Sequence, residues 1–156
     1  MMGDASDEVH FIEEPKMSDV IKVKSGSMYE ERNSYSRLVA VGDMLFVANT
    51  AGVDYKTREI SPDVAIQARR ALQTIEGALE AVGSSLSDVV RIITHVPDRA
   101  NMEAVAQVLG EVFKGIDPAA TTACTPLARD DLKVEFEVTA IRGVSKRSQE
   151  YVKISV

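Results

Sequence analysis

The stretch ISPDVAIQARRALQTIEGALEAVG, with VVRIITHV soon after it, constrains this chain more than any other part of it. Val64, Ala68, Ala71, Leu72, Ile75, Leu79 and Val82 recur at spacings of three and four, which is one apolar stripe over five helical turns. Ser61 suits an N-cap, Pro62 suits the first helical position where its missing N–H costs nothing, and Gly83 supplies the stop. Val89–Val96 is rich in Val and Ile and reads as a largely buried strand that ends at Pro97–Asp98. A helix with a single apolar stripe must bury it, and the strand that follows offers a sheet to bury it on.

The rest of the chain repeats this logic. Met102, Val105, Leu109, Val112 and Phe113 make a second amphipathic helix, ended by Gly115. Gly110 inside it costs about 1 kcal/mol relative to alanine, which suggests close packing there. Asp117–Pro118 starts a turn and Ala120–Thr125 reads as a strand. Upstream, Val20–Lys24 alternates, and Arg37–Val41 and Met44–Ala48 are apolar runs separated by Gly42–Asp43, a hairpin signal. Leu132–Ile141 alternates most clearly: Leu132, Val134, Phe136, Val138 and Ala140 share one side, Lys133, Glu135, Glu137 and Thr139 the other. The order β-β-β-α-β-α-β-β predicts an α+β fold, a mixed β-sheet with two helices on one face. Glu135 and Glu137 then stand roughly 7 Å apart on the uncovered face. A sheet face without helix cover points to assembly with other copies.

Composition narrows the function. The 156 residues are 45% hydrophobic and 27% charged, with a net charge of −6, as expected of one ordinary globular domain. An acidic chain lacks the Lys/Arg excess that holds nucleic acid. No stretch approaches the roughly 18 apolar residues of a membrane span, and no basic-then-apolar leader opens the chain. A cytoplasmic location is the expectation. The single cysteine, Cys124, precludes an internal disulfide and a cysteine-based zinc cluster, and the two histidines, His10 and His95, are too few for a His-rich metal site. No cofactor is called for. Residues 1–18 carry five acids against one base and read as an acidic flexible tail ahead of a domain at 19–142. Residues 143–156 form an extension whose alternation at 151–156 suggests an edge strand.

From about Ser25 to Arg142 the chain resembles the RidA/YjgF family, the small enamine/imine deaminases also labelled endoribonuclease L-PSP. Four segments carry the resemblance: Ser34-Tyr35-Ser36 ahead of Val41-Gly42-Asp43; Phe46-Val47-Ala48-Asn49-Thr50-Ala51-Gly52; the first long helix with Ala81-Val82-Gly83 and Asp88-Val89-Val90-Arg91; and Asp117-Pro118-Ala119 followed by Leu132-Lys133-Val134-Glu135-Phe136-Glu137. The resemblance implies a chorismate-mutase-like fold and a homotrimer with small imino or keto acids bound in clefts between subunits. It implies that Glu135 is the acidic residue near the reacting water, that Tyr35 lines the cleft, and that Thr122 contacts the ligand through its backbone.

Two departures bear on chemistry. Hydrolysis of a 2-imino acid needs a carboxylate anchor, best an arginine, and a carboxylate that positions and deprotonates water. The family's arginine normally follows Pro-Ala, yet Pro118-Ala119 is followed by Ala120. The family's usual Ser-Gly is replaced by Ala48-Asn49. Arg32, three residues before Tyr35, is a candidate replacement anchor, whereas Arg129 reads as solvated. Cys124 reads as a small buried hydrophobe and His95 as a satisfied core or interface histidine. Two functions follow: a deaminase or hydrolase acting on a small enamine, imine or related acid, or a non-catalytic module that binds or senses a small carboxylic acid. Ribonuclease action lacks a basic patch and a histidine pair, and a chorismate mutase would need an arginine cluster for its dianion.

Overall fold

The computed structural model describes residues 19–156, so the acidic segment 1–18, with His10, lies outside the described residues. Nine principal elements follow one another: β1 (Val20–Val23), α1 (Met28–Arg32), β2 (Leu38–Val41), β3 (Met44–Ala51), α2 (Val64–Glu80), β4 (Val89–His95), α3 (Met102–Val112), β5 (Ala119–Ala123) and β6 (Glu135–Ile141). They form one six-stranded sheet in the order β1-β2-β3-β6-β4-β5. Only the β4–β5 pair is parallel. This is the expected mixed α+β arrangement, with one short helix, α1, in addition.

Local chemistry accounts for most of these elements. Gly42 and Asp43 form the two-residue connection between Val41 and Met44, which are paired, and Gly42 takes φ +56° at the first turn position. The α2 cap lies two residues later than expected. Asp63 is the N-cap, its Oδ1 accepting from the Ile66 N–H at 3.0 Å, while the Ser61 hydroxyl oxygen accepts from the Asp63 N–H at 3.1 Å. Pro62 therefore precedes the cap rather than following it, and the carboxylate places negative charge at the positive end of the helix. Residues 148–156 form no strand, so the expected edge strand is absent. Tyr151 instead donates its hydroxyl hydrogen to Asp117 Oδ2 at 2.8 Å.

The core lies between the sheet and the two long helices. Ala68, Ala71, Leu72, Ile75 and Leu79 of α2 and Val105 and Val108 of α3 pack against Leu38, Leu45, Ile92, Phe136 and Val138. Every inward residue read from the alternation of 132–140 is buried. Gly52 permits the close approach at the end of β3, because a Cβ there would stand 2.2 Å from the Gln67 carbonyl oxygen. Gly110 does not have the packing role expected of it, since a Cβ there would meet nothing within 4 Å. The other sheet face leaves Val41, Met44 and Phe46 between 40% and 49% exposed.

Candidate functional site

A cavity of about 510 Å³ opens beside the end of β3 and the start of β6. Its wall is assembled from α1 and the turn after it, the end of β3, the loop that follows, and the loop entering β6. Gln67, fully buried on α2, fixes that last loop: its side-chain nitrogen donates to the carbonyls of Ser61 at 2.7 Å and Asp131 at 2.9 Å, and its oxygen accepts from the Lys133 N–H at 2.8 Å. The strand that begins at Glu135 is thereby held in register over α2.

Arg37 organises the floor. It is 2% exposed and forms an ion pair with Glu30, itself 1% exposed, at 3.1 Å. Its Nη1 donates to the Asn49 carbonyl at 3.0 Å and to Thr50 Oγ1 at 2.9 Å, and Nη2 reaches the Tyr35 hydroxyl at 3.4 Å. The guanidinium also lies 5.7 Å from the Tyr35 ring centre and 5.4 Å from that of Tyr55, within cation–π range. Glu30 is completed by the Ser25 N–H at 2.9 Å. A buried charge pair is tolerated only when its remaining donors and acceptors are met in this way.

Glu135 stands at the first position of β6, half-buried, and the cavity reaches it. Burial pushes its carboxyl above the ordinary carboxylate range; His95, Arg37 and the Asn49 amide oppose that rise. The contact with Asn49 arises from a β-bulge. Val47 pairs with Val138 and Thr50 with Phe136, so Ala48 and Asn49 together oppose one residue, Glu137. The extra residue re-aims the strand, and Asn49 Nδ2 donates to Glu135 Oε2. The bulge occupies the two positions where the sequence departs from Ser-Gly.

The structure brings Tyr35 and Glu135 to one cavity and leaves the other two expected residues outside it. Arg32 ends α1 with its side chain exposed and does not line the cavity. Thr122 lies on β5, two strands from Glu135, and with Ala120 it is exposed on the outermost strand of the sheet. Arg37 and Tyr55, which no motif in the sequence singles out, line the same cavity, as does Asn49 from the departure at Ala48-Asn49. His95 pairs across β4 and β6 with Glu135, a relation set by the antiparallel register. Arg129 lines the cavity with an exposed guanidinium that pairs with Asp131, its Nε lying 2.9 Å from Oδ1. Cys124 is exposed rather than buried. Glu137 is half-buried on the open face, as expected of a residue two positions from Glu135. Among the described residues no cluster of three or more His, Cys, Asp or Glu could hold a metal ion, and no helix is long and apolar enough to cross a membrane.

The comparisons with known proteins agree with one another. A family described as Endoribonuclease L-PSP matches residues 27–142. A RutC family protein of Pyrococcus horikoshii is 31% identical over 109 residues, covering 69% of this chain and 86% of the relative. The 2-iminobutanoate/2-iminopropanoate deaminase of Escherichia coli K12 is 31% identical over 113 residues, covering 69% and 87%. Among solved structures, a YjgF/YER057c/UK114 family member from Mycobacterium tuberculosis superposes with a TM-score of 0.68 at 35% identity, covering 78% of this chain and 98% of that one.

Proposed function

The chain belongs to the RidA/YjgF family, the family described as Endoribonuclease L-PSP, and from that premise we propose that it adds water to a small enamine, imine or related keto acid in a cleft shared between subunits of a homotrimer. The observation that carries this reading is Glu135: a half-buried carboxylate of raised proton affinity, held by Asn49, beside Tyr35 at a cavity of substrate size. Such a carboxylate is a stronger base than an exposed one and is suited to taking a proton from water. As the water oxygen bonds to the imine carbon, the C=N π pair moves to nitrogen, and Glu135 takes one water proton and returns it to that nitrogen, giving a carbinolamine. Glu135 then carries the remaining hydroxyl proton to the amino group as the carbon–nitrogen bond breaks, so that ammonia leaves, a carbonyl remains and the carboxylate is regenerated.

Assembly is supported by the apolar open face and by the exposed β5 strand, which carries Ala120 and Thr122. A neighbouring copy would bring Thr122 to the cavity that its own chain keeps distant. The alternative, a small-acid binding or sensing member without turnover, is favoured by one observation: Ala120 stands where an arginine would anchor the carboxylate. The test is hydrolysis of 2-iminopropionate generated in situ, comparing the native chain with Glu135→Gln. Hydrolysis lost in the variant supports the enzyme; no hydrolysis by either, with binding of small carboxylates retained, supports the binding module.

A further inference from the structure

Three guanidinium groups border the cavity, and two of them are neutralised by carboxylates. Arg37 is held by Glu30 and Arg129 by Asp131. Arg58 has no carboxylate partner among the described residues; its Nη2 lies 2.8 Å from the Met28 sulfur, a weak acceptor. Among the described residues the cavity wall thus retains one cation without a counter-charge, Arg58, and one carboxylate, Glu135.

The backbone at Arg58 strengthens the case. Its φ is +64°, a left-handed conformation that costs a non-glycine residue and persists only where the surroundings over-determine it. Here they do. The Arg58 N–H donates to the Asp54 carbonyl at 2.6 Å and the Asp54 N–H to the Glu59 carbonyl at 2.9 Å. Asp54 Oδ1 accepts from the Lys56 N–H at 2.8 Å, and Oδ2 forms an ion pair with Arg70 of α2 at 2.6 Å. The loop is therefore fastened to the helix at its base and presents Arg58 at the cavity.

Resting on the proposed water-adding chemistry, we propose that Arg58 is the residue that anchors the ligand's carboxylate, the role left open at Ala120. The ligand class is a small monoanionic 2-imino or 2-oxo acid. Its carboxylate displaces the sulfur contact at Arg58, its electrophilic carbon points toward Glu135, and a short side chain lies against Met28 and Tyr55. A second acidic group on the ligand would meet no further uncompensated guanidinium in this wall and would face Glu135.

The test uses pyruvate as the probe, measured by calorimetry on the native protein, Arg58→Ala, Arg58→Lys and Lys56→Ala. Lys56 lies in the same turn and does not line the cavity. Loss of a charged hydrogen-bonded anchor is expected to raise the pyruvate Kd roughly 10- to 100-fold in Arg58→Ala. Arg58→Lys should recover part of the loss, and Lys56→Ala should change Kd by less than about twofold. In 2-iminopropionate hydrolysis, Arg58→Ala should raise KM more than it lowers kcat. Unchanged pyruvate binding in Arg58→Ala, equal weakening in Lys56→Ala, or no binding to the native chain overturns the proposal. Native protein that binds pyruvate through Arg58 yet hydrolyses no imine would leave this inference standing and remove the catalytic reading; imine hydrolysis with kcat and KM indifferent to Arg58 would do the reverse.

Discussion

Two carboxylates stand at opposite ends of the β4–β6 pair and are driven in opposite directions. Asp88 immediately precedes β4 and is 4% exposed. Its oxygens accept from the Ser84 hydroxyl at 2.7 Å, the Gly143 N–H at 3.1 Å, and the Ser145 N–H and hydroxyl at 3.0 and 2.7 Å. Although burial alone would raise the Asp88 carboxyl, these donors together bring it down to about 2. Glu135, at the other end, has one side-chain donor, Asn49, and there burial prevails. Burial alone does not determine what a carboxylate is for. The number of donors aimed at it decides whether it is fixed in its charged form as a clasp or left with affinity for a proton.

The largest effect is expected at Glu135. Glu135→Gln is expected to lower kcat for imine hydrolysis roughly 10²- to 10⁴-fold. Its melting temperature should stay the same or rise, because a carboxyl whose pKa is raised on folding weighs against the fold above its unfolded pKa. A variant of full activity, or one that is inactive because it melts early, contradicts the assignment.

Asp88 should behave as the mirror image. Its folded pKa lies below its unfolded value of 3.8, so it stabilises the protein above about pH 4 and that contribution is lost as pH falls toward 2. The shift corresponds to about 2 kcal/mol. Asp88→Asn should lose about that much at neutral pH by urea unfolding, and the difference from the native chain should close between pH 4 and 2. A constant difference across that range would show that the clasp does not depend on charge.

A smaller change is expected at the Glu135 end. Asn49→Ala removes the amide that favours the ionised form of Glu135, so the acidic limb of the activity profile should move to higher pH and kcat should fall by up to about tenfold. The smallest effect lies at neither end. Gly110→Ala should stabilise the protein by about 1 kcal/mol in thermal unfolding, because the position is helical, exposed and unobstructed. A loss of stability there would restore the packing role that the sequence suggested.

Periodic features of the chain were the legible ones. The stripe from Val64 to Val82 and the alternation from Leu132 to Ala140 each report which side faces the core, since a helix or strand repeats that choice many times. Tyr35 and Glu135 came from resemblance, and both meet at the cavity. The remaining site residues carry no periodic signal. Arg37 sits among apolar strand residues and becomes the hub only because Glu30, from a five-residue helix too short to announce itself, folds against it. Asn49 was visible as a departure from the family pattern, but the bulge that aims it depends on the pairing of β3 with β6. Arg32 was the candidate anchor in sequence and Arg58 carried no signal there; the Asp54 turn, which no local pattern specifies, brings Arg58 to the cavity, while Arg32 remains outside.

Donor count sets Asp88 and Glu135 apart, and following the side-chain carboxyl carbons by NMR from pH 2 to 8, with Asp88→Asn and Glu135→Gln used to assign them, reads that difference at both residues. Asp88 is expected to titrate near 2 and Glu135 above its ordinary 4.5. A Glu135 that titrates at or below 4.5 would be an ordinary solvated carboxylate, and donor count would not be what separates the two.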